Sequence, residues 1–122
     1  MSNGQTIADR YIAIWNESDD SKRRVMIAEA WAEDAHYADP LMAGEGHAGI
    51  DAMIAAVQAK YPGYRFARLG TVDRHGDNLR FSWSLAPEAG GEVARGTDFA
   101  TVSADGRLTR VVGFLDSVSL PA

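Results

Sequence analysis

The chain predicts an α+β fold in a single domain, three helices followed by a β-meander. Three observations carry that expectation. Apolar residues recur at helical spacing through the first half and alternate with polar ones through the second. Four extended segments follow one another across short turns rich in Gly, Asp, Asn and Pro, as consecutive antiparallel strands do. The 122 residues, 46% of them hydrophobic, suffice for one core, and no linker, repeat or low-complexity tract divides them.

Ile7, Tyr11, Ile14 and Trp15 mark the first helix, which runs out in the polar Asn16-Glu17-Ser18-Asp19-Asp20. A second helix is expected after Asp20 or Ser21, either of which suits an N-cap, burying Met26, Ile27, Ala30 and Trp31. Ala35-His36-Tyr37-Ala38-Asp39 reads as a short extended stretch, and Pro40 keeps Asp39 out of helical backbone. A loop over residues 41–49 leads to a third helix with the stripe Ile50, Met53, Ile54, Val57 and Tyr61, stopped by Pro62-Gly63. Strands are expected at residues 64–73, 78–86, 92–103 and 108–118. In the second of them Leu79, Phe81, Trp83 and Leu85 share one face, and Arg80, Ser82 and Ser84 the other.

Lys and Arg number 12 against 17 acidic residues, a net charge of -5 with no basic block. That removes the electrostatic case for nucleic acid or an anionic membrane as partner. The absence of cysteine excludes disulfides, thiolate metal sites and cysteine nucleophiles, and fits a reducing compartment. No apolar run approaches the roughly 20 residues a bilayer requires. Met1-Ser-Asn-Gly-Gln-Thr lacks the basic and apolar regions of a signal peptide. A cytoplasmic location is expected.

One residue stands out against its surroundings. Asp98 falls on the strand face that also carries Ala94, Gly96, Ala100 and Val102. A carboxylate there must find a partner or raise its pKa and stay protonated. A neutral carboxylic acid in an apolar cavity can donate to a developing oxyanion; the plainer reading pairs Asp98 with an arginine at a bulge. Asp39 likewise has two readings, an Asp-Pro turn initiator and a general base closing an apolar and aromatic segment. Tyr11 is a core aromatic whose buried hydroxyl needs a partner, and Asp98 can be that partner if the first helix packs over the sheet.

Other patterns carry less. Gly44-Glu45-Gly46-His47-Ala48-Gly49 matches G-x-G-x-x-G, but a dinucleotide site needs that turn inside a parallel strand–helix–strand unit, so it reads as a flexible loop. His36, His47 and His75 form no tight ligand pair. His36, Asp39 and His47 could converge on a metal only by virtue of the fold, and no metal or cofactor is expected. No G-x-S-x-G elbow is present.

Together these segments resemble the nuclear-transport-factor-two-like superfamily, from about Arg10 to Val118. That group includes ketosteroid isomerases, SnoaL-like polyketide cyclases and limonene-epoxide hydrolases. Arg10-Tyr11-Ile12 is similar to the ketosteroid isomerase segment carrying an oxyanion-hole tyrosine. Trp31-Ala32-Glu33-Asp34-Ala35-His36-Tyr37-Ala38-Asp39-Pro40 is similar to the stretch ending in its catalytic Asp-Pro. Thr97-Asp98-Phe99-Ala100-Thr101-Val102 is similar to the strand holding its protonated aspartic acid.

The resemblance implies a cone-shaped, strongly curved antiparallel sheet with three N-terminal helices. It also implies Asp39 as base, Tyr11 and neutral Asp98 as oxyanion donors, an arrangement for which ketosteroid isomerase is itself the standard example. It places Trp15, Trp31, His47, Val57, Trp83 and Leu115 around a small hydrophobic molecule, and implies a homodimer. At the positions of the isomerases' supporting tyrosines stand Trp31 and Val57, so the tyrosine network is expected to be missing. The expected activity is cofactor-independent isomerisation through an enolate. The alternatives are a non-catalytic binding or dimerisation module, a polyketide cyclase, or an epoxide hydrolase using an Asp–Arg–Asp set, for which Arg80, Arg95 and Asp116 are available.

Overall fold

The computed structural model describes residues 3–119. Helix α1 (Gly4–Asn16) opens on Asn3, whose side chain accepts the Thr6 N–H at 2.8 Å, and buries Ile7, Tyr11, Ile14 and Trp15. Helix α2 (Asp20–Ala30) is capped by Asp19 rather than Asp20 or Ser21. The cap oxygen must reach an N–H three residues on, and Asp19 Oδ1 takes that of Lys22 at 2.9 Å.

Trp31 closes α2 as its C-cap, its N–H donating to the Ile27 carbonyl, and also begins β1 (Trp31–Ala38), which starts four residues before the expected stretch. The exposed Glu33 and Asp34 and a register break between Trp31 and His36 hide this strand's alternation. The expected loop over 41–49 holds a short strand, β2 (Ala43–Glu45), and the first turn of α3 (Gly46–Lys60). Gly44 fits there because a Cβ would lie 3.1 Å from the Gly49 carbonyl oxygen.

The remaining strands are β3 (Arg65–His75), β4 (Asn78–Ala86), β5 (Ala94–Val102) and β6 (Leu108–Val118). They form the expected antiparallel meander. The six-stranded sheet has the order β2-β1-β6-β5-β4-β3, and β1 runs parallel to β6. The sheet is therefore mixed, which corrects the all-antiparallel expectation. The β1–β6 pairing joins segments some 70 residues apart, and no turn signal announces it. Register breaks in the β3–β4 and β5–β6 ladders bend the sheet around α1 and α3, with Gly70 in left-handed backbone (φ 64°) at the first of them.

Strand β5 buries the face predicted for it: Ala94, Gly96, Asp98, Ala100 and Val102 all point inward. Phe99, Phe114 and Val118 are exposed. Among the described residues, no helix is long and apolar enough to cross a membrane.

Candidate active site

Between the concave sheet face and helices α1 and α3 lies a cavity of about 650 Å³. Its walls are mostly apolar, from Ile12, Met53, Val57, Phe66, Leu85 and Leu115 among others. Tyr11, Tyr37, Asp39, Lys60, Tyr61, Trp83 and Asp98 bring polar groups to it.

Asp98 is 2% exposed. Its cross-strand neighbours are Phe81 on β4 and Gly113 on β6, so its row offers no compensating charge. Its hydrogen-bond partner is the Trp83 indole, whose Nε1–H donates to Oδ1 at 3.2 Å, and the Tyr11 hydroxyl lies near enough to favour the ionised carboxyl. Gly96 makes the first contact possible: a Cβ there would sit 2.2 Å from Trp83 Cζ2, so only glycine lets the indole lie across β5. Burial raises the Asp98 carboxyl to about 6, against the pull of Tyr11 and Trp83 and with a further push from Asp39. None of the described ion pairs includes Asp98, so the plainer reading, an arginine partner, does not hold. The expected neutrality is met only in direction, since a group titrating near 6 is roughly a tenth protonated at pH 7. Trp83 and Tyr11 both favour its ionised form and limit the rise.

Asp39 is set by its own turn. Oδ1 accepts the backbone N–H groups of Leu41 (2.7 Å) and Met42 (2.9 Å), and Oδ2 accepts the Tyr37 hydroxyl at 2.5 Å. A carboxylate offers about four acceptor positions, so one on Oδ2 is left for a substrate. Asp39 thus initiates the turn and also lines the cavity.

Tyr37 was missed as a site residue. Its burial, together with the nearby Asp98 charge and its bond to Asp39, raises its hydroxyl far above the usual tyrosine value. It also interacts with the Tyr11 hydroxyl, which burial and Asp98 likewise raise. Trp31 and Val57 stand where the supporting tyrosines were expected to be missing, and Tyr37 brings a phenol to the cavity from β1. It was legible, since Tyr37 precedes Asp39 by two and shares its side of an extended chain. Gly113 was missed too. A Cβ there would lie 2.9 Å from Asp98 Oδ1, 3.1 Å from Asp39 Cβ and 3.2 Å from the Tyr37 hydroxyl, which shows how closely the three residues converge.

Of the expected pocket residues, Trp15, Val57, Trp83 and Leu115 line the cavity. Trp31 and His47 do not. Trp31 is fully buried under Tyr11, with ring centroids 5.9 Å apart, and His47 Nε2 bonds its carbonyl at 2.8 Å from the first turn of α3. His36 is on an exposed face near Glu45, so the histidines and Asp39 do not converge. Arg80 pairs with Asp73, Arg95 with Glu92, and Asp116 accepts from Thr97; all three side chains are exposed outside the cavity, and no Asp–Arg–Asp set faces it.

Three helices closing a curved mixed sheet of six strands form the nuclear-transport-factor-two-like fold. Residues 8–111 match the SnoaL-like domain, and the chain belongs to that family. It is similar to a provisionally named isomerase of the SnoaL-like family from Agrobacterium tumefaciens. The two are 51% identical over 96% of this chain and 100% of that one, with a TM-score of 0.92. The fold is shared with provisionally named polyketide cyclases from Sinorhizobium meliloti and Jannaschia. The first is 20% identical, TM-score 0.68, over 88% and 93% of the two chains; the second is 17% identical, TM-score 0.70, over 100% and 98%. No functionally curated protein matches the chain.

Proposed function

We propose that the pocket performs cofactor-independent proton transfer on a small hydrophobic carbonyl compound through an enolate. The observation that carries this reading is the buried, cation-free Asp98 carboxyl converging with Tyr37 and Asp39 at one point beside Gly113. The free acceptor position of Asp39 Oδ2 takes the proton α to the carbonyl, and the electron pair left on carbon moves to oxygen. Tyr11 and the protonated form of Asp98 donate to that oxygen, preorganised electrostatic stabilisation worth several kcal/mol, on the order of 3 per donor. Asp39 returns the proton at the far carbon, completing a double-bond shift. With a second carbonyl in the substrate the same enolate closes a ring, which is cyclase chemistry.

Wild type and Asp39→Asn are compared on a fluorescent phenol as enolate mimic and on a β,γ-unsaturated ketone. Retained phenol binding with turnover lower by orders of magnitude supports the reading. Indifference of both assays to Tyr11, Asp39 and Asp98 makes the protein a binding module.

The reading includes a homodimer, supported by the apolar Phe99 (43% exposed) and Phe114 (57% exposed) on the outer sheet face. Sedimentation of the wild type at the 13.2 kDa of one chain, at micromolar concentration, would rule that out.

A further inference from the structure

The cavity is electrically lopsided. Its buried end holds the carboxyl of Asp98, with the half-buried Asp39 close by, while the exposed Lys60, the last residue of α3, lines it beside Tyr61. Among the described residues, Lys60 is the one cationic side chain lining the cavity. None of the described ion pairs includes it, although six of the ten arginines are taken up in such pairs. Its ammonium lies 5.5 Å from the centroid of the Tyr61 ring, a weak attraction that leaves its hydrogen-bond donors available. A lysine in the last turn of a helix suits the helix dipole, which accounts for its position on α3 but not for its place on the cavity wall.

This polarity restricts how a charged ligand can enter. An anionic group at the buried end would meet two carboxyls in a poorly solvated space, where like charges repel strongly. Beside Lys60 the same group meets an uncommitted ammonium. We infer that the ligand is an amphipathic anion: an apolar carbonyl-bearing body fills the cavity, a carboxylate stays beside the exposed Lys60, and Lys60 is the residue that selects for it. The inference rests on the proposed enolate chemistry only for which end of the ligand enters first. A net charge of -5 otherwise repels such a molecule, so the local cation also decides whether it approaches at all.

Two ligand pairs test this, read by fluorescence of Trp15 and Trp83 in the cavity wall. One pair is 2-naphthol and 6-hydroxy-2-naphthoate, whose phenol mimics the enolate; the other is decanol and decanoate, which ask nothing of the acids. The carboxylate member of each pair binds the wild type about two- to fivefold more tightly at low salt, an advantage that fades at high salt. Lys60→Met abolishes the advantage and leaves naphthol and decanol unchanged, while Lys60→Arg keeps it. Equal affinities within both pairs in the wild type, or an advantage that survives Lys60→Met, overturn the inference. So does an equal loss for both members of each pair, since that marks a structural lysine. A preserved decanoate advantage with naphthol binding indifferent to Tyr11 and Asp98 leaves Lys60 as the selector and removes the enolate chemistry instead.

Discussion

Among the described residues two formally charged side chains, Arg23 and Asp98, are buried, and the fold treats them in opposite ways. Arg23, 1% exposed between the helices, is answered on every side. Its guanidinium donates to Asp51 (2.7 Å), Asp20 (2.5 Å), the Glu17 carbonyl (2.9 Å) and Gln58 (3.1 Å). Gln58 passes the order on by donating to the Trp15 and Glu17 carbonyls, which ties α3 to the end of α1. Asp98, equally buried, has one neutral donor bonded to it, the Trp83 indole, a second phenol near by in Tyr11, and no cation among the described ion pairs. The first arrangement is what a charge needs to be stable inside a protein; the second leaves a charge unsettled. A group held near its titration point is useful where a proton must be given or shared, and that is the group facing the cavity.

Breaking the satisfied site has the largest expected effect. Arg23→Leu leaves Asp51, Gln58 and the Glu17 carbonyl short of donors and destabilises the fold by about 3–5 kcal/mol. Urea denaturation measures this, and a loss below about 1 kcal/mol would show that the network is ornamental to stability.

Neutralising the unsatisfied site does the reverse. The folded Asp98 titrates near 6, above the ordinary 3.8 of an unfolded aspartate, so the native state binds more protons between those values. Its contribution to stability is therefore fully present below about pH 3.8 and is lost as pH rises through 6. Asp98→Asn keeps an acceptor for Trp83 and Tyr11, removes that slope, and stabilises the protein at pH 7.5 by on the order of 2–3 kcal/mol. Equal pH dependence in wild type and variant would mean the carboxyl is not strained. In turnover, kcat/KM of the wild type falls above about pH 6 as Asp98 ionises, whereas the variant, a permanent donor, has no such limb.

Gly113→Ala sharpens the contrast. Its methyl would press on Asp98 Oδ1, with a stability cost of about 1–3 kcal/mol. By excluding water it moves the alkaline limb of kcat/KM upward; a limb that moves downward contradicts desolvation as its cause. The smallest change is expected from Tyr37→Phe, which removes one hydrogen bond to Asp39 and costs about 1 kcal/mol. Tyr37 is not among the causes of the Asp98 shift, so the limb stays near pH 6 while turnover drops.

Local pattern determined much of this protein. The spacing of Ile7, Tyr11, Ile14 and Trp15, the stripe on α3 and the turns between strands follow from a period of 3.6 or 2 and from turn chemistry, which neighbouring residues alone express. The same alternation exposed Asp98 as a carboxyl on an apolar face, and burial followed from that. What tertiary structure decided are relations between distant segments. The β5–β6 pairing sets Gly113 opposite Asp98, the parallel pairing of β1 with β6 brings Tyr37 to the same point, Gly96 makes room for Trp83, and both Trp31 and His47 fall behind the cavity wall. The chain also could not state how far the Asp98 pKa would rise, because that balance sets burial against donors from a helix and a neighbouring strand. Periodicity assigns a side chain to a face. Only the closed fold assigns its neighbours, and the neighbours set the chemistry.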